Sequence, residues 1–431
     1  MTPQNGLLVR RLDRLREARP RERPAIPQGR NRPAFDRRRE RAERLALALG
    51  GRITEGPAGP VVWGPESAVE LPLEPASLGE LPYPLDPRRP IVCLDTETTG
   101  LGTAAGTLVF LVGLGTWDGR IYRVRQLVLA EQPDEPAFLG ALAAAIPADG
   151  WLVTYNGRSF DWPLVCARFR LHRRPPPSVA GHLDLLPVCR QLWRHRLTDA
   201  RLATVEAGIC GVARQDDLPG ALIPARYLAY LRTGQAALLR AVAAHNRQDV
   251  VSLALLLGEL ASRLGNVDAR RRAHPIDVAA LGRAFARRGR LVEGLECYEV
   301  ALERLASRPA PTRFDRLAAE RARLLGRLGR RREAAAAWLA MAERGGPAAA
   351  DAWIRVASHR ERVERRFPDA LGAAERAASL AARARAVGRP LRDVEADLDR
   401  RLPRLRRRIA APTRADVQPL ARSPSAARLV A

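Results

Sequence analysis

Lysine is absent from this 431-residue sequence, and all 72 basic residues are arginine. Against 47 acidic residues they leave a formal charge of +25. A genome rich in arginine codons accounts for the missing lysine, but not for the sign of the net charge. That much positive charge suits a polyanion, and nucleic acid is the obvious one. Cysteine is scarce. Cys93, Cys166, Cys189, Cys210 and Cys297 form no C-x-x-C pair and no cluster with histidine, which argues against a structural zinc or iron–sulfur site. Scattered through apolar context, they read as buried free thiols in a reducing, cytoplasmic setting. No run of about 20 apolar residues occurs, so a spanning helix is not expected. The first residues are polar and arginine-rich with no apolar h-region, so no secretory signal is expected either.

What is present is organised around I-V-C-L-D-T-E-T-T-G-L, residues 91–101. Four unbroken apolar residues read as a buried strand that runs into two carboxylates. Asp95 and Glu97 are two apart, so in extended chain both face one side and Thr96 the other. Two negative charges at a buried strand end need neutralising, and Mg²⁺ or Mn²⁺ accepts hard carboxylate oxygens. The alternative is a strand ending in a solvated polar turn.

Along the chain, residues 1–50 hold fourteen arginines against six acids and read as a basic flexible arm with short helical pieces, Leu7–Leu15 and Leu45–Leu49. Residues 51–89, rich in Pro and Gly, read as a linker or wrapping segment. Residues 90–265 read as a mixed α/β domain. Asp118-Gly119 between two apolar runs predicts a hairpin, giving three antiparallel strands in a row. Helix 135–145, strand 151–155, helix 162–169 and strand 182–186 follow, then mainly helix to Leu264. Within residues 275–385 a repeat appears: A-F-A-R-R-G-R-L-V-E-G-L-E-C-Y at 284 matches L-L-G-R-L-G-R-R-R-E-A-A-A-A-W at 324, and R-R-F-P-D-A-L-G-A-A-E-R-A at 365 is a weaker copy. The pattern reads as tetratricopeptide-like helix pairs, serving as a docking surface or as a buttress for the first domain. Residues 386–431, with six arginines between Arg400 and Arg408, read as a basic flexible tail.

Three more groups could complete a site. Asp161, in Y-N-G-R-S-F-D, would open a helix after a sharp Asn156-Gly157 turn, where the helix dipole favours an anion. His245 and Asp249 are four apart on one helix face, and either a surface pair or a site would place them so. G-T-A-A-G-T at 102 lacks the Gly-Lys-Ser/Thr of a phosphate loop, and no G-x-S-x-G elbow is present.

Taken in order, Asp95, Glu97, Asp161, His245 and Asp249 resemble the DEDD exonucleases, the DnaQ-like branch of the RNase H fold. D-T-E-T-T-G-L, F-L-V-G-L-G, V-T-Y-N-G-R-S-F-D-W-P-L, H-L-D-L-L, D-D-L-P-G and H-N-R-Q-D-V-V-S-L resemble the YprB-like family of exonucleases in particular, over about Pro60–Leu264. The resemblance implies an RNase H-like mixed sheet with flanking helices, followed by an all-α repeat domain. It implies two Mg²⁺ or Mn²⁺ ions on Asp95, Glu97, Asp161 and Asp249, with His245 as general base. It further implies that Thr98, Gly100, Leu101 and Asn156 contact the terminal nucleotide of a single-stranded DNA or RNA end. The sequence departs from the histidine-type enzymes in one respect: three residues rather than four separate His245 from Asp249, as in the tyrosine type. Asp184 is a fifth acid, better suited to a supporting role. The expected activity is 3′→5′ exonuclease. The alternatives are structure-specific endonuclease action and a non-catalytic nucleic-acid- or protein-binding scaffold whose repeats dock a partner.

Overall fold

The computed structural model describes residues 32–100, 106–215, 217–306 and 311–410. Helix α1 (Arg32–Leu49) leads into strands β1 (Arg52–Gly56), β2 (Gly59–Trp63) and β3 (Ser67–Glu70) and a short α2 (Pro75–Gly79). The meander β4 (Ile91–Thr98), β5 (Val109–Asp118) and β6 (Ile121–Val128) comes next. Then α3 (Glu135–Ala145), β7 (Trp151–Thr154), α4 (Asp161–Leu171), β8 (Gly181–Asp184) and α5 (Leu185–Trp193) alternate. Helices α6 (Leu202–Val205), α7 (Ile223–Thr233) and α8 (Arg240–Leu264) follow.

All eight strands share one sheet, ordered β1-β2-β6-β5-β4-β7-β8, with β3 also paired to β6. The β4–β5–β6 meander is antiparallel, whereas β7 and β8 run parallel to β4. The expected mixed α/β class is therefore the one observed. The hairpin also holds: Gly119 takes φ 58° at the first loop position, as a II′ turn requires. Strand β4 separates two cores. Val92 and Leu94 enter the one beneath α1, α3, α4 and α7, and Ile91 and Cys93 enter the one beneath α5 and α8. Both faces are buried because helices cover both, which is why the run shows no polar alternation.

Helix α8 lies close on β5. A Cβ at Gly113 would stand 2.3 Å from Asn246 Oδ1 and 2.6 Å from Val250 Cγ2, and one at Gly115 would stand 1.8 Å from the Tyr122 hydroxyl. The two glycines of F-L-V-G-L-G thus set the distance at which α8 meets the sheet. Residues 242, 246, 250, 253 and 257 form its buried stripe.

Three expectations about domain edges change. Of the two readings of 51–89, the structure goes with a wrapping segment rather than a linker: β1 and β2 form a hairpin at the sheet edge, Val61 and Val62 are buried, and β2 and β3 together pair along β6. Its Gly and Pro residues make the turns between these strands. Within the 1–50 arm, α1 is folded and buries Ala42, Leu45 and Ala46, while Arg41 bonds Glu131 and the carbonyls of Tyr230 and Leu231. Residues 1–31, including the expected Leu7–Leu15 helix, lie outside the described residues. In the 386–431 tail, residues 392–410 form a helix whose Leu398 and Leu405 are buried; its arginines are partly spent in ion pairs, Arg401 with Asp397 and Glu361. Residues 411–431 lie outside the described part.

The repeat region is all helix: α9 (Val267–Arg272), then α10 (Pro275–Arg287) with α11 (Leu291–Ala306), α12 (Pro311–Arg327) with α13 (Arg331–Arg344), α14 (Ala349–His359) with α15 (Phe367–Ala386), and α16 (Arg392–Ala410). The sequence repeat maps onto geometry. Gly289, Gly329 and Arg365 hold the same left-handed position between the helices of each pair, with φ 79°, 77° and 56°. Val278, Leu281 and Phe285 of the first pair join the core formed under α5 and α8. Among the described residues no helix is long and apolar enough to cross a membrane.

Candidate active site

Strand β4 ends where the site begins. Its pleat puts Asp95 and Glu97 on the α8 side and Thr96 on the α4 side, as the two-residue spacing predicts. Asp161, the first residue of α4, meets the strand from that second side: Thr96 Oγ1 donates to Asp161 Oδ1 at 2.5 Å. From the other side, Asn246 of α8 donates through Nδ2 to Asp95 Oδ2 at 2.8 Å and to the Asp95 carbonyl at 3.3 Å. Asn246 is itself fixed, since Gln126 Nε2 donates to its Oδ1 and to the Ala243 carbonyl, both at 2.8 Å.

The next turn of α8 carries Asp249. Arg214 sets its guanidinium 2.5 Å from Asp249 Oδ1, 2.8 Å from Glu206 Oε2 and 3.0 Å from Asp217 Oδ2. His245 stands between two carboxylates: Nδ1 is 2.7 Å from Asp217 Oδ1, and Nε2 is 3.6 Å from Asp249 Oδ2. In the tautomer in which Nδ1–H donates to Asp217 Oδ1, Nε2 is the nitrogen that faces Asp249.

The charges are strained in the way a cation site requires. Burial, followed by the charges of Asp249, Glu97 and Asp161, raises the Asp95 carboxyl well above its usual range. Burial and the charges of Asp249 and Asp161 do the same for Glu97. Burial lifts Asp161 to about 6 against the hydrogen bond from Thr96, and it raises Asp249 despite Arg214 and His245. Asp217 goes the other way. Burial pushes it up, but the bonds from His245 and Arg214 outweigh this and hold it below its usual value.

Four carboxylates against one guanidinium beside Asp249 are a donor set that fits hard divalent cations. They do not form a closed cage. Among the described residues, the group of three donors whose ligand atoms all lie within 4.8 Å of one another is His195, His274 and Asp277, at the start of α10. That group already has a cation, because Arg196 Nη1 sits 2.8 Å from Asp277 Oδ2.

The other expected residues fare differently. Thr98 is buried and its hydroxyl donates to the Gly100 carbonyl at 2.7 Å, so it shapes the loop after β4. Leu101 lies outside the described residues. Asn156 takes φ 65°, its N–H donating to Asp184 Oδ1 at 2.8 Å, and its side chain is exposed. Asp184 ends β8 and caps α5, accepting from Leu186 N at 3.0 Å as well as from Asn156 and Arg158. That capping turns the expected strand 182–186 into helix from Leu185, and it gives Asp184 the supporting role. Sequence reasoning assigned no role to Asn246, Gln126, Asp217 or Arg214. Asn246 did leave a signal, as the polar residue in an otherwise apolar stripe.

The RNase H superfamily model matches residues 92–261. Over 176 residues the chain is 38% identical to a Bacillus subtilis (strain 168) protein named uncharacterized protein YprB. The sheet-bearing domain is thus RNase H-like, and over that region the chain is similar to YprB. The alignment covers 39% of this chain and 41% of that relative, so the chain spans about two fifths of the relative's length. Membership of the RNase H-like domain supports nuclease-type chemistry on nucleic acid. The matched region holds every carboxylate of the site, together with His245, Asn246, Arg214 and Asp217.

Proposed function

We propose that the protein is a metal-dependent 3′→5′ exonuclease that hydrolyses phosphodiester bonds at single-stranded DNA or RNA ends. The observation that carries this reading is the meeting of Asp95, Glu97, Asp161 and Asp249 at one strand end with raised carboxyl pKa values. A scaffold has no physical need for four converging acids with one guanidinium, that of Arg214 at Asp249, set against them. These four would hold two Mg²⁺ or Mn²⁺ ions, which would supply water activation and charge stabilisation at the leaving 3′ oxygen. His245 takes the water's proton on Nε2, with Asp217 holding Nδ1. Asn246 and Thr96 fix the rotamers of Asp95 and Asp161, the supporting shell such a site needs. Thr98, Gly100, Leu101 and Asn156 take the terminal nucleotide.

The reading places the protein in the cytoplasm, where its five free cysteines stay reduced. It assigns the first helix pair, which shares the core under α5 and α8, to buttressing the sheet domain, and the later pairs to partner docking. Polarity is tested with oligonucleotides blocked at one end. A blocked 3′ end stops degradation and a blocked 5′ end does not; equal cleavage of both, with internal products, would replace exonuclease by endonuclease action.

A further inference from the structure

A second feature lies apart from the carboxylates, where the RNase H-like domain meets the first helix pair. Arg190 and Arg194 at the end of α5, Arg283 and Arg287 of α10, and Arg313 and Arg316 of α12 surround one cleft of about 520 Å³. Among the described residues no carboxylate lines it. Glu320 neutralises Arg283 at 2.7 Å and reaches Arg316 at 3.4 Å, and Asp315, the other acid of α12, faces Arg344 at 3.7 Å. Arg190, Arg194, Arg287 and Arg313 have no carboxylate within salt-bridge distance among the described residues. The floor between them is apolar, formed by Ile276, Ala279, Leu305 and Leu317.

Like charges from three helices gathered around a concavity repel one another, and the concavity focuses their field outward. Their complement is an anion with several charges along its length and flat apolar surface between them. A sugar–phosphate strand carrying bases has that chemistry: guanidinium forks take phosphates and apolar floors take bases. The shape selects a strand over a single small anion. A neighbouring cleft of about 580 Å³ shares Arg190, Gln191, Arg194 and Arg287 with the first and runs on past Leu197 to Ala200, with one carboxylate, Asp199, in its lining and Arg201 4.0 Å from that acid. There the Tyr155 hydroxyl donates to the Ala200 carbonyl at 2.6 Å. Tyr155 directly precedes Asn156 in the turn beside the carboxylates, so the basic run ends against the frame of the candidate active site.

We propose that this joint is a second nucleic-acid contact, binding the backbone of single-stranded substrate away from the carboxylates. It goes beyond the nuclease reading, because it concerns binding that needs neither metal nor cleavage. The test compares the full-length protein with an Arg194→Glu/Arg287→Glu/Arg313→Glu variant and its Gln counterpart. Affinity for a fluorescein-labelled single-stranded oligonucleotide is measured in EDTA across a salt series, with circular dichroism to verify folding. The expected result is about tenfold or greater weakening at low salt, graded from Gln to Glu. The slope of log affinity on log salt becomes shallower by about 2, near 0.7 per lost phosphate contact. Cleavage of a chromogenic mononucleotide phosphodiester in Mn²⁺, too short to reach the joint, is unchanged. If both variants fold and match the wild type in affinity and slope, the proposal is overturned. It is equally overturned if they lose only binding of free nucleoside triphosphate, which would make the cleft a small-ligand site. Loss of mononucleotide cleavage in an Asp95 variant speaks to the nuclease reading alone.

Discussion

Raising the pH on the metal-free protein stresses the carboxylate cluster selectively. Asp161 is moved from 3.8 to about 6, by burial first, so its folded form holds a proton that its unfolded form has released. The stability it contributes is complete below its ordinary value and is lost as pH rises through about 6. The shift is worth about 3 kcal/mol, and Asp95, Glu97 and Asp249 are displaced in the same direction. In EDTA, the melting temperature followed by differential scanning fluorimetry falls as pH rises from about 4 through about 6. Asp161→Asn, which keeps an acceptor for Thr96 but cannot ionise, flattens that fall by up to about 3 kcal/mol. Mn²⁺ at about 100-fold over its dissociation constant restores about 2.7 kcal/mol to the wild type at neutral pH and less to the variant. Parallel pH profiles for the two metal-free proteins, or no response of the wild type to Mn²⁺ at neutral pH, would refute the reasoning.

Two further substitutions probe how the site is held. Gly113→Val drives a side chain into Asn246 and Val250, so α8 is displaced from β5 at a cost of about 1–3 kcal/mol; a denaturation midpoint equal to the wild type's would show that the close approach is unimportant. Asn246→Ala removes the donor to Asp95 and leaves Gln126 with only the Ala243 carbonyl. It weakens Mn²⁺ binding in calorimetry by about 10- to 100-fold, as loss of a supporting hydrogen bond does, whereas an unchanged dissociation constant would leave Asn246 a purely structural role.

Much of the site could be read from the chain because its chemistry coincides with a local period. Asp95 and Glu97 face one way because a strand alternates, and His245 and Asp249 share a face because a helix turns every 3.6 residues. Asp161 was placed by the turn before it. Contacts with no local period were not legible. Arg214 and Asp217 lie in an irregular loop, and only the fold brings them to α8. Gln126 is a strand residue on β6 that meets Asn246 across 120 residues of chain. The edges misled for a related reason. Pro and Gly in 51–89 mark turns between short strands as readily as a linker, and the pairing partner β6 that decides between them lies far along the sequence. In α16 the arginines read as part of a basic flexible tail, yet Arg401 and Arg404 both reach Glu361.

The claim that the four carboxylates form a metal-dependent nuclease centre is tested most directly with 5′-labelled single-stranded DNA and RNA. Each is incubated with purified protein in Mn²⁺, Mg²⁺ or EDTA, with Asp249→Ala alongside. The account predicts a ladder shortening from the 3′ end that needs metal and disappears in Asp249→Ala. Intact substrate in every lane, or a ladder of equal strength in EDTA and in the variant, would contradict it.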